Sequence, residues 1–242
     1  MRVMDWVIWN LGRVVALPLL YAPPLRMRRH GHEHLPASGP VLIVCNHVSV
    51  ADPMVLMAAA RSRRTSMMSK AELFRTPGFG FMLRRLRAFP IDRSKPADFG
   101  AIRHALGLLE RGHAVVVFPE GHVSRSGRMR RGASGAGMFA QRPGVTVIPA
   151  VAWHTQRFKG PARVVFGPPI DMSDIAPGPR KARNREATDR IMAILARMVA
   201  EAGGPVQDPP VGPQRPIDKR RGIWFPPPEP EPELAQVPPR AY

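Results

Sequence analysis

Cysteine is nearly absent from this chain. Of 242 residues only Cys45 is one, so no internal disulfide can form, which fits a reducing compartment. Cys45 ends the apolar run Val41-Leu42-Ile43-Val44-Cys45 and reads as a small buried hydrophobe. Aromatic side chains are scarce at 7%. That is thin for base stacking, and no RNA-binding pattern of alternating glycine and aromatic residues occurs, so no nucleic-acid partner is expected. Acidic residues are also few: 18 against 36 Lys and Arg, a formal charge of +18. This excess selects for anionic partners, here an anionic membrane surface or a phosphorylated substrate.

A long hydrophobic run is missing too. Residues 1 to 30 are apolar in patches, but Arg2, Asp5 and Arg13 interrupt them. The longest uncharged stretch, Val14 to Leu25, spans 12 residues and holds Pro18, Pro23 and Pro24. A spanning helix needs about 20 apolar residues, and no small-residue cleavage site marks a signal peptide. Residues 1–30 therefore read as a membrane-associating segment lying in the interface. Trp6 and Trp9 would sit at headgroup depth, with Arg26, Arg28 and Arg29 against phosphates. The alternative is a helix packed on the protein's own core. The expected location is the cytoplasmic face of the cell membrane, monotopic or peripheral.

What is present is an alternation of strand-like and helix-like segments over residues 31–203. Strands are expected at Pro40 to Cys45, Ser66 to Ser69, Ala88 to Ile91, Ala114 to Phe118, Val145 to Trp153 and Ala162 to Phe166. Phe99, Ile102, Leu106 and Leu109 fall at helical spacing with Gly112 as a stop, and Ile191, Ile194, Leu195 and Met198 mark a last helix. The fold class is α/β, a central sheet, largely parallel or mixed, flanked by helices. Beyond, residues 204–242 hold twelve of the 29 prolines over residues 205–242. They read as an extended or disordered tail.

Chemistry concentrates in three segments, two of them directly after strands. Asn46-His47-Val48-Ser49-Val50-Ala51-Asp52-Pro53 follows a buried strand. On a regular helix, five residues rotate about 140°, so His47 and Asp52 can meet only if His47 lies in the turn and Asp52 opens the helix. Asp52 as a plain N-cap is the competing reading. Phe118-Pro119-Glu120-Gly121 also leaves a strand, and with parallel strands Glu120 would emerge beside His47. Phe89-Pro90-Ile91-Asp92-Arg93 ends in a guanidinium suited to phosphate. Two other patterns carry less. His30, His32 and His34 would share one strand face, but Glu33 points the other way, so no metal is expected. Gly132, Gly135 and Gly137 lack the strand and Lys-Ser/Thr of a nucleotide loop.

Taken in order, Asn46-His47-x4-Asp52-Pro53, Phe89-Pro90-Ile91-Asp92-Arg93, Phe118-Pro119-Glu120-Gly121 and Val147-Ile148-Pro149-Ala150 resemble the four blocks of the glycerolipid acyltransferase family, the 1-acylglycerol-3-phosphate acyltransferases. Ser69-Lys70-Ala71-Glu72-Leu73 and Pro77-Gly78 resemble the segment between its first two blocks. The resemblance implies O-acyl transfer to a membrane lipid acceptor, lysophosphatidic acid, in phospholipid biosynthesis. The donor would be acyl-CoA or acyl-carrier protein, with no cofactor. It implies that His47 takes the hydroxyl proton and Asp52 orients the imidazole. Arg93 would grip the phosphate, and Glu120 and Gly121 would hold the acceptor, Gly121 with a candidate backbone N–H. Ser124 and Arg125 would extend that acceptor site, and Pro149 would floor the donor site. The third block departs from the family: Val123 stands where an arginine is common, and Arg125, Arg128, Arg130 and Arg131 follow. A related acyltransferase for another lysolipid, or a non-catalytic lipid-binding protein, are the alternatives.

Overall fold

Two short apolar runs decide the centre of this fold. Val41–Cys45 (β2) and Ala114–Val117 (β5) are buried at every position, as continuous apolar strands covered on both faces must be. They pair in parallel, Val41 opposite Ala114 through Val44 opposite Val117. The computed structural model describes residues 27–92, 94, 97–124, 129–155 and 161–201. The expected interfacial segment up to residue 26, the proline-rich tail, Arg93 and Arg125 lie outside the described residues.

Around that centre, Arg28–His30 (β1), Thr65–Lys70 (β3), Ala88–Ile91 (β4), Thr146–Trp153 (β6) and Arg163–Phe166 (β7) complete a seven-stranded sheet of order β1-β7-β6-β2-β5-β3-β4. Strands β6, β2, β5, β3 and β4 run parallel. Strand β7 is antiparallel to β6 and pairs in parallel with β1. The sheet is therefore mixed, as the sequence suggests, with its reversal at one side.

Among the described residues five α-helices flank it: Asp52–Ala59 (α1), Phe79–Arg85 (α2), Phe99–Glu110 (α3), Gly135–Ala140 (α4) and Arg180–Glu201 (α5). The period-two alternation of each strand sorts side chains to two cores. Val41, Ile43, Cys45, Ile148 and Ala150 face Val55, Leu56 and Ala59 of α1. Leu42, Val44, Val115, Val147 and Val151 face Ala105 and Leu109 of α3 and Ile191 and Leu195 of α5. Helix α3 starts at Asp98, whose carboxylate accepts from Ala101 N at 3.1 Å, an N-cap. Helices α4 and α5 touch backbone to backbone at Gly137, where a Cβ would stand 2.0 Å from Asn184 O.

Two expectations change. Arg28–His30 is a strand of the sheet, and Arg29 donates to Ala59 O, so residues 28–30 join the sheet and are not part of a separate N-terminal segment. Nor do His30, His32 and His34 alternate on one strand. Gly31 takes φ 67° and a 3-10 turn spans His32–His34. The left-handed glycine ends the extended run after His30, which no periodicity argument detects.

Candidate active site

Because five strands run parallel, the segments after β2, β3, β4, β5 and β6 emerge at one edge of the sheet. That edge gathers His47, Glu120 and Thr155 from three different strand ends.

Asn46 begins the construction. Its side-chain amide donates to Ala152 O at 3.0 Å and accepts from Ala152 N at 2.8 Å. The amide thus imitates one more peptide rung of the β2–β6 ladder, and the backbone is released to turn at His47. Asp52 is the first residue of α1, followed by Pro53, as expected from proline's preference for a first turn. Its carboxylate does not cap the helix. One oxygen, Oδ2, accepts from His47 Nδ1 at 3.0 Å and from the backbone N–H groups of Val48 and Ser49, both at 2.7 Å. The other, Oδ1, accepts from the Thr155 hydroxyl. A carboxylate with no exposed surface is thereby surrounded by four donors, which is what a buried anion requires. The N-cap reading fails.

The bond to Asp52 puts the imidazole proton on Nδ1 and leaves Nε2 as the lone-pair nitrogen. Phe118 stacks on the ring with centroids 4.1 Å apart, so the plane of the base is fixed as well as its tautomer. About a tenth of the His47 side chain is exposed. An imidazole held this way can serve as a general base.

Glu120 is held by backbone on both oxygens. Oε1 accepts from His47 N at 2.8 Å and Oε2 from Arg130 N at 2.8 Å. Both oxygens bind backbone, so the side chain clamps the histidine turn to the segment before α4. Burial pushes this carboxyl above the ordinary glutamate range, against the two N–H groups that pull it down. The Gly121 N–H is likewise committed, to Phe118 O at 3.0 Å. It closes a turn with Pro119 at its second position and Gly121 at φ 73°, a conformation suited to glycine. Gly121 therefore does not aim its N–H at a reacting carbonyl. Ser124 is buried and its N–H donates to His47 O at 2.7 Å, which also makes it a brace of the turn. Pro149 is buried opposite Val44 in β6. It alternates with Val147 and Val151, beside Gly167 and Met198. That is the face covered by α5, where Pro149 packs in the core.

Thr155 is the residue that sequence reasoning missed. Besides its hydroxyl bond to Asp52, its carbonyl accepts from Ser49 Oγ at 3.0 Å. The preceding His154 adopts φ 58°, the left-handed region a non-glycine residue seldom occupies, and this bend brings the chain back toward α1 after β6 ends. The one available signal was position, two residues past the strand that begins with the fourth block.

Residues 26–153 match the profile of the Acyltransferase family. The chain belongs to that family. It is an acyltransferase, and a 1-acyl-sn-glycerol-3-phosphate acyltransferase of Bacillus subtilis is 29% identical over 168 residues, 67% of this chain and 82% of the relative. One from Streptococcus pneumoniae is 31% identical over 178 residues, 71% and 66% of the two chains. The crystal structure of the 1-acyl-sn-glycerophosphate acyltransferase of Thermotoga maritima shares the fold, with a TM-score of 0.63 and 22% identity over 84% of this chain and 81% of that one. In this acyltransferase the α/β sheet sets His47, Asp52 and the groups that brace them at a single edge.

Proposed function

We propose that the chain moves a fatty acyl group from acyl-CoA or acyl-carrier protein to the sn-2 hydroxyl of 1-acylglycerol-3-phosphate, giving phosphatidic acid for phospholipid synthesis. The observation that carries the reading is the buried His47–Asp52 pair at 3.0 Å. It supplies a base, and a thioester needs only an activated hydroxyl. His47 Nε2 takes the hydroxyl proton while the oxygen bonds to the thioester carbonyl carbon. The tetrahedral intermediate then breaks its C–S bond, and the leaving thiolate takes the proton back from the imidazolium. No acyl-enzyme is needed, and Cys45 is unsuited to form one, since burial pushes its thiol well above the ordinary range. The names of the relatives support lysophosphatidic acid as acceptor. Arg93, Arg125 and the nearby Arg130 and Arg131 suit a phosphate monoester, which carries more charge than a diester. The work is done at the membrane, on its cytoplasmic face, with residues 1–25 in the interface. Among the described residues no helix is long and apolar enough to cross a membrane.

The test is kcat/KM for lysophosphatidic acid, lysophosphatidylcholine and monoacylglycerol with one acyl donor. Lysophosphatidic acid is expected to lead, and Arg93→Lys is expected to raise the acceptor KM more than the donor KM. An equal or better rate on a phosphate-free or choline-bearing acceptor moves the assignment to another lysolipid, the reading that Val123 in place of an arginine favours.

A further inference from the structure

Among the described residues the large apolar side chains that are exposed fall along one edge of the sheet. They are Val50, Met54, Leu73, Phe81 and Phe99, with Val50 84% and Phe99 70% exposed. Val50 lies in the turn after β2, and Met54 in the first turn of α1. Leu73 lies in the 3-10 turn 71–75 after β3, and Phe81 and Phe99 in the first turns of α2 and α3. All five therefore crown the edge that carries His47. The opposite edge, with Arg61, Arg64, Arg111 and Arg142, shows none. Basic residues occupy both edges, so charge alone does not single one out. Apolar exposure does.

We propose that this crown is a bilayer-docking surface of the catalytic domain itself, separate from residues 1–26, and that it seats the active-site edge on anionic lipid. The proposal rests on the lipid-acceptor reading of the site and adds how that acceptor is reached. Soluble surfaces rarely keep several large apolar groups together without a partner. The local charge names the partner. Residues 70–85 hold Lys70, Arg75, Arg84 and Arg85 against Glu72 alone. The Arg85 guanidinium lies 4.8 Å from the centroid of the exposed Phe81 ring, and that of Arg84 lies 5.6 Å from the Phe74 ring. An aromatic ring with a guanidinium on it fits the headgroup zone, where the ring meets acyl carbon and the cation meets phosphate. A protein partner would be served by the apolar groups but gives no reason for this excess of arginine. A lysolipid lying in the leaflet would then meet His47 without leaving it.

The single native cysteine aids the test, because Cys45 is fully buried and its thiol is held protonated. Leu73→Cys, Phe81→Cys and Phe99→Cys in the full chain would each take an environment-sensitive dye, with Arg111→Cys as the control at the far edge. The labelled proteins are mixed with vesicles of phosphatidylcholine and phosphatidylglycerol, with and without brominated acyl chains. The expected result is a blue-shifted emission quenched by bromine at the three crown positions and not at 111. The proposal is overturned if the chain sediments with vesicles while the crown dyes remain unquenched. It is also overturned if the chain does not bind vesicles, or if the dyes shift with protein concentration alone, which would mark a second copy as the occupant. Acyl transfer to a short-chain, water-soluble acceptor is read on the same samples. Its absence would strike the catalytic reading and leave the docking result standing. As a second measurement, Phe81→Ser with Phe99→Ser should raise KM for vesicle-borne acceptor and spare the soluble one.

Discussion

The two edges of the sheet each bury a charged side chain, and they use it differently. At the far edge Arg63, 8% exposed, donates to Pro36 O at 2.9 Å, Gly39 O at 2.6 Å and Gly112 O at 3.0 Å. Its partners are all backbone carbonyls, so it ties three loops together. At the near edge Asp52 is equally well satisfied, but one of its four donors is an imidazole whose second nitrogen is uncommitted to it. The lesson is that complete satisfaction of a buried charge does not separate structure from catalysis. The decisive point is whether the chain of bonds ends on a group that can still exchange a proton.

This contrast breaks most sharply at His47. His47→Ala should lower acyl transfer by about 100-fold to 10,000-fold, the range for a general base, or about 3–5 kcal/mol of barrier. Its melting temperature should stay near wild type, and turnover with circular dichroism on the same sample checks both halves. Arg63→Met is the mirror image. It should cost about 2–3 kcal/mol of stability by stranding three carbonyls, seen in urea unfolding, with kcat per folded molecule unchanged.

Smaller effects sharpen the comparison. Thr155→Val removes one donor from Asp52 while keeping the shape of the side chain. A loss of about 1 kcal/mol, roughly fivefold in kcat, is expected, with a shifted pH–rate profile because the imidazole's partner has changed, and Thr155→Ser should restore much of it. The smallest effect concerns Glu120, whose carboxyl is raised by burial from the ordinary 4.5. The folded chain then keeps this proton to higher pH than the unfolded one. Its contribution to stability is complete below the unfolded value and is lost as pH rises through the folded one. Glu120→Gln should flatten the dependence of unfolding free energy on pH just above 4.5, as chemical denaturation at stepped pH would show.

How far the sequence carried the reading follows from the range of each interaction. His47 and Asp52 were legible because they lie five residues apart and Pro53 marks where the helix begins. Strands β2 and β5 were legible because a strand buried on both faces spells itself as unbroken apolar residues. Thr155 was not, since its bond to Asp52 spans 103 positions and depends on which strand lies beside β2. The direction in which the Glu120 carboxylate turns was hidden for the same reason: its partners are backbone N–H groups, which carry no residue identity. β1 escaped notice because Arg28, Arg29 and His30 make no hydrophobic pattern, and their neighbour β7 is far along the chain.

The central claim is that Asp52 acts on the reaction through His47, and a double-mutant cycle tests it most directly. Single-turnover acyl transfer to lysophosphatidic acid is measured with enzyme in excess for wild type, His47→Ala, Asp52→Asn and the double variant. Residues that work as one unit lose function once, not twice. The account predicts that Asp52→Asn is severe in the wild-type background and nearly silent once His47 is gone. Two losses that multiply in full would contradict it, and would mean that Asp52 serves the reaction by a route that does not pass through the imidazole.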